Sequence, residues 1–504
     1  MSFYAMRIVL VLALLLLAGR SVVGQAEQKI TSSRPGDSAL FGKSLAISGD
    51  ILIVGAPWED ALGPRSGAVY VYRYTGTSWT EQQRLVPVDG ESGDIFGGDV
   101  ATEGDVIVVT ARLDKENGED SGSAYVFRHN GVNWSEEQKL VPDDGRIQDR
   151  FGSSASISGD VIVIGAPRVD DSGDNSGAAY VFRYDGSTWV QEQKLVADDG
   201  AIEDFLGESV SVDGNIVVIG ADEDDTRGVQ AGAAYVFRFV GGKWTQEQKL
   251  TASDGASSDW FGESVSLSGD VVVIGSGGDD DLGPNSGSVY VFRYDGLNWI
   301  QEQKINAGNE ESGDFFGSSV AITDNVIVVG ASFDDDNGSE SGSIYVFRYG
   351  GIEWNREHKL TPSDGAPNDY FGSTVAVSGN IVIGASPQDD EIFDRSGSVY
   401  VFDVSSTGIF TDNAAENDNS FTDTIYPNPT RSFSTLEYLV EVTSPVSAAI
   451  YDVLGRRVRD VINSTQGKGR YAETVDLSNL PNGVYFYRIQ IGRFSATKPL
   501  TIIH

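Results

Sequence analysis

Residues 151–195 read FGSSASISGDVIVIGAPRVDDSGDNSGAAYVFRYDGSTWVQEQKL, and the division of this stretch decides the fold. Residues 153–158 are mostly small and make a short strand, closed by a Gly159-Asp160 turn. From Val161 to Ala166 every position is apolar and most are β-branched, as in a strand buried on both faces. An acidic loop, 170–175, leads through Ser176-Gly177 to a strand with aromatic rings at every second position, Tyr180, Phe182 and Tyr184. Asp185-Gly186 is a turn signal. Trp189 then opens a polar strand that ends at Leu195. Small, apolar, aromatic, polar is the gradient a propeller blade requires, because its inner strand is crowded at the axis and its outer strand faces water. The polar outer strand also blunts an otherwise sticky edge.

The Phe-Gly pair returns every 55 residues, at Phe41, Phe96, Phe151, Leu206 (the one substitution), Phe261, Phe316 and Phe371. Such a period marks a solenoid, a propeller or a tandem array. A unit of this length is near the lower limit for a core that stands alone without staples, and the chain has no cysteine to make them. The repeats therefore share one structure. Glu137-Gln138-Lys139-Leu140 is the outer strand of the second repeat, and two periods earlier stands Glu27-Gln28-Lys29-Ile30. The seventh repeat runs through Val399-Tyr400-Val401-Phe402 and then loses the pattern, with Ile409-Phe410 where a Trp is due. The N-terminal segment is thus expected to supply the missing outer strand. The fold class is all-β, a seven-bladed β-propeller closed by an N-terminal strand.

Phe-Gly, an apolar strand ending in Gly-Ala-Pro (Gly55-Ala56-Pro57, Gly165-Ala166-Pro167) and Ser-Gly-x-x-Tyr-Val-Phe together resemble the FG-GAP repeat of integrin α subunits and many bacterial surface proteins. The resemblance covers residues 25–406 and implies the same propeller. One feature does not carry over. Integrin-type blades hold calcium on an Asp-rich loop between Phe-Gly and Gly-Ala-Pro, where this chain has only tight turns such as Ser158-Gly159-Asp160. Hard cations need about six converging oxygens.

The carboxylates gather elsewhere. One column, between the second and third strands, reads Asp60, Lys115, Asp170, Asp225, Asp280, Asp335 and Asp390. Another, two residues before each Phe-Gly, reads Asp94, Asp149, Asp204, Asp259, Asp314 and Asp369. Both loop types emerge at one end of the ring, so one strongly acidic face is expected. Asp side chains close Asx-turns without any ligand, and this reading stands beside calcium as the one candidate cofactor. The calcium candidates are Asp170, Asp171, Asp224, Asp225, Asp279, Asp280, Asp281, Asp334 and Asp335. The Trp column (Trp79, Trp134, Trp189, Trp244, Trp299, Trp354) reads as packing rather than as a carbohydrate platform.

The net charge of −38 argues against nucleic acid, which needs a basic surface. Residues 1–24 have the layout of a secretory signal peptide, with Arg7 ahead of an apolar run and a small residue before Gln25. No later segment is apolar enough for a transmembrane anchor. The inner-strand column, Ser44, Asp99, Ser154, Ser209, Ser264, Ser319 and Thr374, is nearly uniform, and His129, His358 and His504 sit in unrelated contexts. No Ser-His-Asp arrangement is credible, and no catalytic residue is assigned.

The repeats give way to an Asn/Asp-rich linker, 407–424, and a module at 425–504. Its landmarks are Tyr426-Pro427-Asn428-Pro429, Gly455 in Val453-Leu454-Gly455-Arg456, Gly483 in Pro481-Asn482-Gly483, and a terminal Lys498-Pro499. Alternating strands suggest a small C-terminal β-sandwich. The pattern resembles the type IX secretion sorting domain of Bacteroidetes-like bacteria, which implies the type IX secretion machinery as partner and release from, or display on, the outer membrane surface. The expected function is that of a monomeric, secreted or surface adhesion module for an extracellular protein or glycan. The alternatives are an extracellular hydrolase or lyase using channel carboxylates, and a purely structural surface protein.

Overall fold

The computed structural model describes residues 27–308, 312–405, 423–426, 433–440, 444–452, 456–491 and 494–503. The expected signal peptide and most of the expected linker lie outside them. The chain forms two compact units, Met1–Gly408 and Ile409–His504.

The first unit holds seven four-stranded antiparallel sheets, one per repeat. Their strands are called a to d from the axis outward. In blade 3 these are Ala155–Ser158, Val161–Ala166, Ala178–Tyr184 and Trp189–Leu195. The other blades follow the same order, and adjacent a strands touch all round the ring. In blade 7 the outer position is taken by Glu27–Ile30, which pairs antiparallel with Ser398–Asp403, Glu27 opposite Phe402 and Ile30 opposite Val399. The ring closes by strand exchange, as the matching sequences require.

The core is seven wedges rather than one mass, one between each adjacent pair of blades. Strand b is buried on both faces, so its alternate side chains serve different wedges. Val161 and Val163 pack toward blade 4, while Ile162 and Ile164 pack toward blade 2. Each such side chain contributes roughly 1.5–3 kcal/mol on burial. The Phe of each Phe-Gly pair stands edge-on to two strand-c rings, as Phe151 does to Tyr180 at 5.5 Å and Phe182 at 5.9 Å. Its glycine has φ near +90° and presses on the preceding blade; a Cβ on Gly97 would lie 2.8 Å from the Ala68 carbonyl oxygen. No other residue fits both demands.

The second unit is a β-sandwich. Asp423–Tyr426, Phe433–Val440 and Gly469–Asp476 form one sheet; Arg457–Gln466, Ser444–Asp452, Gly483–Ile491 and Phe494–Ile502 form the other. Leu436, Ile450, Tyr487, Ile489 and Leu500 fill its centre. The first strand takes in the last two residues of the stretch expected as linker. Of the sorting landmarks, Tyr426 ends that first strand, Gly483 opens the sixth and Lys498 lies in the last. Pro427, Asn428, Pro429 and Gly455 fall outside the described residues.

Candidate functional site

The carboxylates of the acidic end are held by the chain's own groups. In blade 4, Asp224 is buried after strand b. Its carboxylate lies 2.9 Å from the Tyr235 hydroxyl of strand c and 2.7 Å from Lys249 Nζ of strand d. Lys249 also reaches Asp199, in the loop that leads into the blade, at 2.8 Å. Asp279 has Tyr290 and Lys304, and Asp334 has Tyr345 and Lys359. Asp389 has Tyr400 and Lys29, and Asp114 has Tyr125 and Lys139. In blade 3, Lys194 takes Asp144 and Asp171. The ammonium groups stand where a bound cation would be needed. Asp281 joins Lys304 at 2.5 Å. Asp170, Asp225, Asp280 and Asp335 instead accept the backbone N–H five residues on, at Asn175, Gln230, Asn285 and Glu340, which is loop closure without a ligand. Among the described residues no group of three or more His, Asp or Glu side chains is arranged to hold a metal ion.

The second acidic column is buried. Asp94, Asp149, Asp204, Asp259 and Asp369 each accept the N–H three residues back, from Glu91 to Asp94 at 2.6 Å for example. Burial raises all five, Asp259 and Asp369 to about 6. Burial also raises Asp99 to about 6, Asp222 to about 7 and Glu263 to about 8. Burial opposes the charge on Asp89, Asp144, Asp224, Asp254 and Asp389 too, but hydrogen bonds outweigh it and hold them below the ordinary carboxylate range, led by lysine in the first four and by Ser398 and Lys29 at Asp389. The raised groups bind protons more tightly folded than unfolded, so stability falls as pH rises from about 4 to about 8. The lysine-paired groups contribute stability that is lost as pH drops below about 4. Calorimetry should therefore find the highest Tm near pH 5, lower at both pH 8 and pH 3; a Tm that rises steadily to pH 8 contradicts this assignment.

The Trp column is structural. Each indole is nearly inaccessible and lies against a strand-c ring, Trp189 on Tyr184 at 5.2 Å. The Trp backbone is clamped by the preceding blade's strand-d Gln. Gln138 accepts from Trp189 N–H at 2.8 Å and donates to its carbonyl at 2.7 Å. Gln28, Gln83, Gln193, Gln248 and Gln303 do the same. The inner-strand serines are clamps too. Ser44, Ser154, Ser209 and Ser264 donate to the next blade's Phe-Gly glycine carbonyl at 2.7–2.9 Å. Asp99, the odd member of that column, accepts the Ala155 N–H of the next blade at 2.8 Å.

Variation is concentrated at the channel mouth, where strands a begin and strands b end. The residue before each Phe-Gly is Leu40, Ile95, Arg150, Phe205, Trp260, Phe315 or Tyr370. All seven are in the left-handed region, with φ of 52–56°. Such a backbone costs a bulky residue on the order of 1–2 kcal/mol. It is pinned by an N–H donated to the preceding blade's loop, from Phe315 to the Asn285 carbonyl at 3.1 Å for example. The seven side chains are unlike, as are the residues after strand b, including Trp58, Arg112, Arg168, Asp222 and Phe333. Uniformity thus holds for the serine column and fails on either side of it. A cavity of about 580 Å³ opens here between blades 6, 7, 1 and 2, with Lys43, Trp58, Arg112, Phe333, Tyr370 and Gln388 in its wall. A second, of about 220 Å³, shares Arg112 and continues past Arg150 and Arg168 to Glu208 and Asp222. Sequence reasoning missed this ring because departures from a repeat carry no periodic signal. The signal was there in negative form, as the columns that fail to repeat.

The FG-GAP repeat family matches at residues 25–72, 79–127, 134–182, 189–237, 244–292, 299–347 and 354–402. A secretion system C-terminal sorting domain matches at 424–503. No curated protein matches the chain. Similar solved structures include a fungal alcohol oxidase of the AA5 family in complex with copper, at 12% identity and a TM-score of 0.44, covering 95% of this chain and 99% of that one. Another is the acylaminoacyl peptidase of Pyrococcus horikoshii, at 9% and 0.42, covering 80% and 58%. A third is the β-propeller domain of the Trilobed protease from Pyrococcus furiosus, at 10% and 0.41, covering 68% and 90%.

Proposed function

The chain belongs to the FG-GAP repeat family and ends in a secretion sorting domain, and from that premise we propose that this exported propeller binds an extracellular ligand at its channel mouth. The sorting domain supports export to the exterior or the cell surface. Among the described residues no helix is long and apolar enough to cross a membrane. One observation carries the binding reading. A ring built from near-identical blades places its unlike residues together at one opening, on strained backbone that packing holds in place. Strain of that kind persists where the surrounding structure over-determines it, and it clusters at ligand sites.

The test is a glycan and matrix-protein array probed with the full chain. Binding is expected to be lost in Phe333→Ala and kept in Leu297→Ser, whose side chain is exposed at a strand c–d turn at the other end. Binding lost in Leu297→Ser and kept in Phe333→Ala overturns this reading.

A second reading, hydrolase or lyase, is favoured by Asp222 and Glu263. Burial holds their carboxyls at about 7 and about 8, in the range useful for proton transfer near neutral pH. Asp99, the one carboxylate in the inner-strand column, is committed to the Ala155 N–H. Incubation with a bound polysaccharide and assay for new reducing ends or unsaturated product decides between binding and turnover.

A further inference from the structure

We propose that the channel-mouth cavity takes an anionic sugar, a carboxylated or sulfated unit of an extracellular polysaccharide, with its anion on Lys43 and Arg112 and its ring against Phe333 and Tyr370. This rests on the mouth being the binding face. The charge at the mouth suits an anion. In a chain of net charge −38, four cations gather at the axis: Lys43, Arg112, Arg150 and Arg168. The recurring lysines of strand d, Lys29, Lys139, Lys194, Lys249, Lys304 and Lys359, are each paired with carboxylates. None of the four axial cations has a carboxylate within 4.0 Å among the described residues. Arg112 Nε is buried without a hydrogen-bond partner, and so is the hydroxyl oxygen of Ser318 in the same wall. Leaving such groups unmet is costly, and a ligand anion would satisfy them. Asp99 and Glu208 favour the charge on Lys43, and Asp120 and Glu208 that on Arg150. Enclosure in the channel and the neighbouring Arg112 work against the charge on Lys43, whose side chain still reaches solvent, and burial with Arg168 and Arg112 does the same at Arg150. The repulsion is relieved when an anion arrives.

The shape and surface of the cavity suit a sugar. The cavity volume is in the range of small-ligand sites. Phe333 and Tyr370 in its wall are the end of an aromatic run that begins outside the cavity, at Trp260 and Phe315. Trp260 stacks on Phe315 with 10° between planes, Phe315 meets Phe333 at 4.9 Å, and Phe333 meets Tyr370 at 5.1 Å. These rings are half-buried, and the part left exposed offers an apolar, electron-rich surface that suits the C–H face of a sugar. Ser318 and Gln388 add groups that can bind hydroxyls. An acidic peptide would meet the cations but leave the ring faces and hydroxyl groups poorly used.

The experiment is titration calorimetry of the full chain with polygalacturonate, chondroitin sulfate, dextran and poly-glutamate. The expected result is binding to polygalacturonate or chondroitin sulfate, and tighter binding of the latter shows that sulfate adds to what a carboxylate alone supplies. Arg112→Met and Lys43→Met should each weaken it at least tenfold with an unchanged melt, and added salt should weaken it as for charged partners. No binding to either acidic polysaccharide, or equal binding by the variants, overturns the proposal. Binding of dextran or poly-glutamate in their place, lost in Phe333→Ala, overturns the acidic sugar while the mouth stands as the site. Binding indifferent to every mouth variant overturns both.

Discussion

Deletion of residues 25–31 lowers Tm by roughly 5–10 °C and makes the protein prone to aggregate. The segment supplies the outer strand of blade 7, and it brings three kinds of contact. Ile30 is buried in the wedge between blades 7 and 1. Gln28 clamps the Trp79 backbone from both sides. Lys29 meets Asp364, Asp389 and Glu391 at 2.6–2.9 Å. Their loss costs on the order of 6 kcal/mol. An unfolding entropy of about 2 cal/mol/K per residue spreads that over a ring of this length as about 1 °C per kcal/mol. The deletion also bares the edge of Ser398–Asp403, a ready template for another chain. Calorimetry with light scattering measures both effects, and an unchanged melt sinks the closing role of the strand.

Lys249→Met costs about 3 kcal/mol, and Lys249→Met with Asp224→Asn recovers most of it. The single change leaves Asp224, whose side chain is 3% exposed, charged and without its ammonium. Removing one partner of a buried pair is costly because the other remains, whereas replacing both is close to neutral. Urea titration of the two variants reads the difference. If the lysines are the cations of this face, added calcium or a chelator leaves the wild-type Tm where it was. A calcium-dependent shift would show that these carboxylates hold something besides lysine.

The fold was legible because its determinants repeat. Strand b is apolar at every position because it serves two wedges, and Glu27–Ile30 matches the other outer strands because it does their work. The acidic columns were legible as positions but not as chemistry. Lys249 lies 25 residues after Asp224 and 50 after Asp199, and in sequence it reads only as part of a polar outer strand. The Asp199 column, which supplies the second carboxylate, goes unnoticed for the same reason. The Gln clamps were hidden likewise, since Gln138 finds its partner 51 residues on. The mouth was the hardest to see. Leu40, Arg150 and Tyr370 share no chemistry, and only the closed ring shows that they face one opening.

The closing seam also sets how the ring responds to force. Glu27 and Phe402 are paired at the same end of that seam, so a pull between the N-terminus and the chain leaving strand c would part it pair by pair, like a zipper. Strands loaded in shear must break their pairs together; these need not. A load applied at the mouth and carried into the inner strands has no such peeling start. A propeller held by its C-terminal side would therefore resist traction at its mouth far better than traction on its own N-terminus.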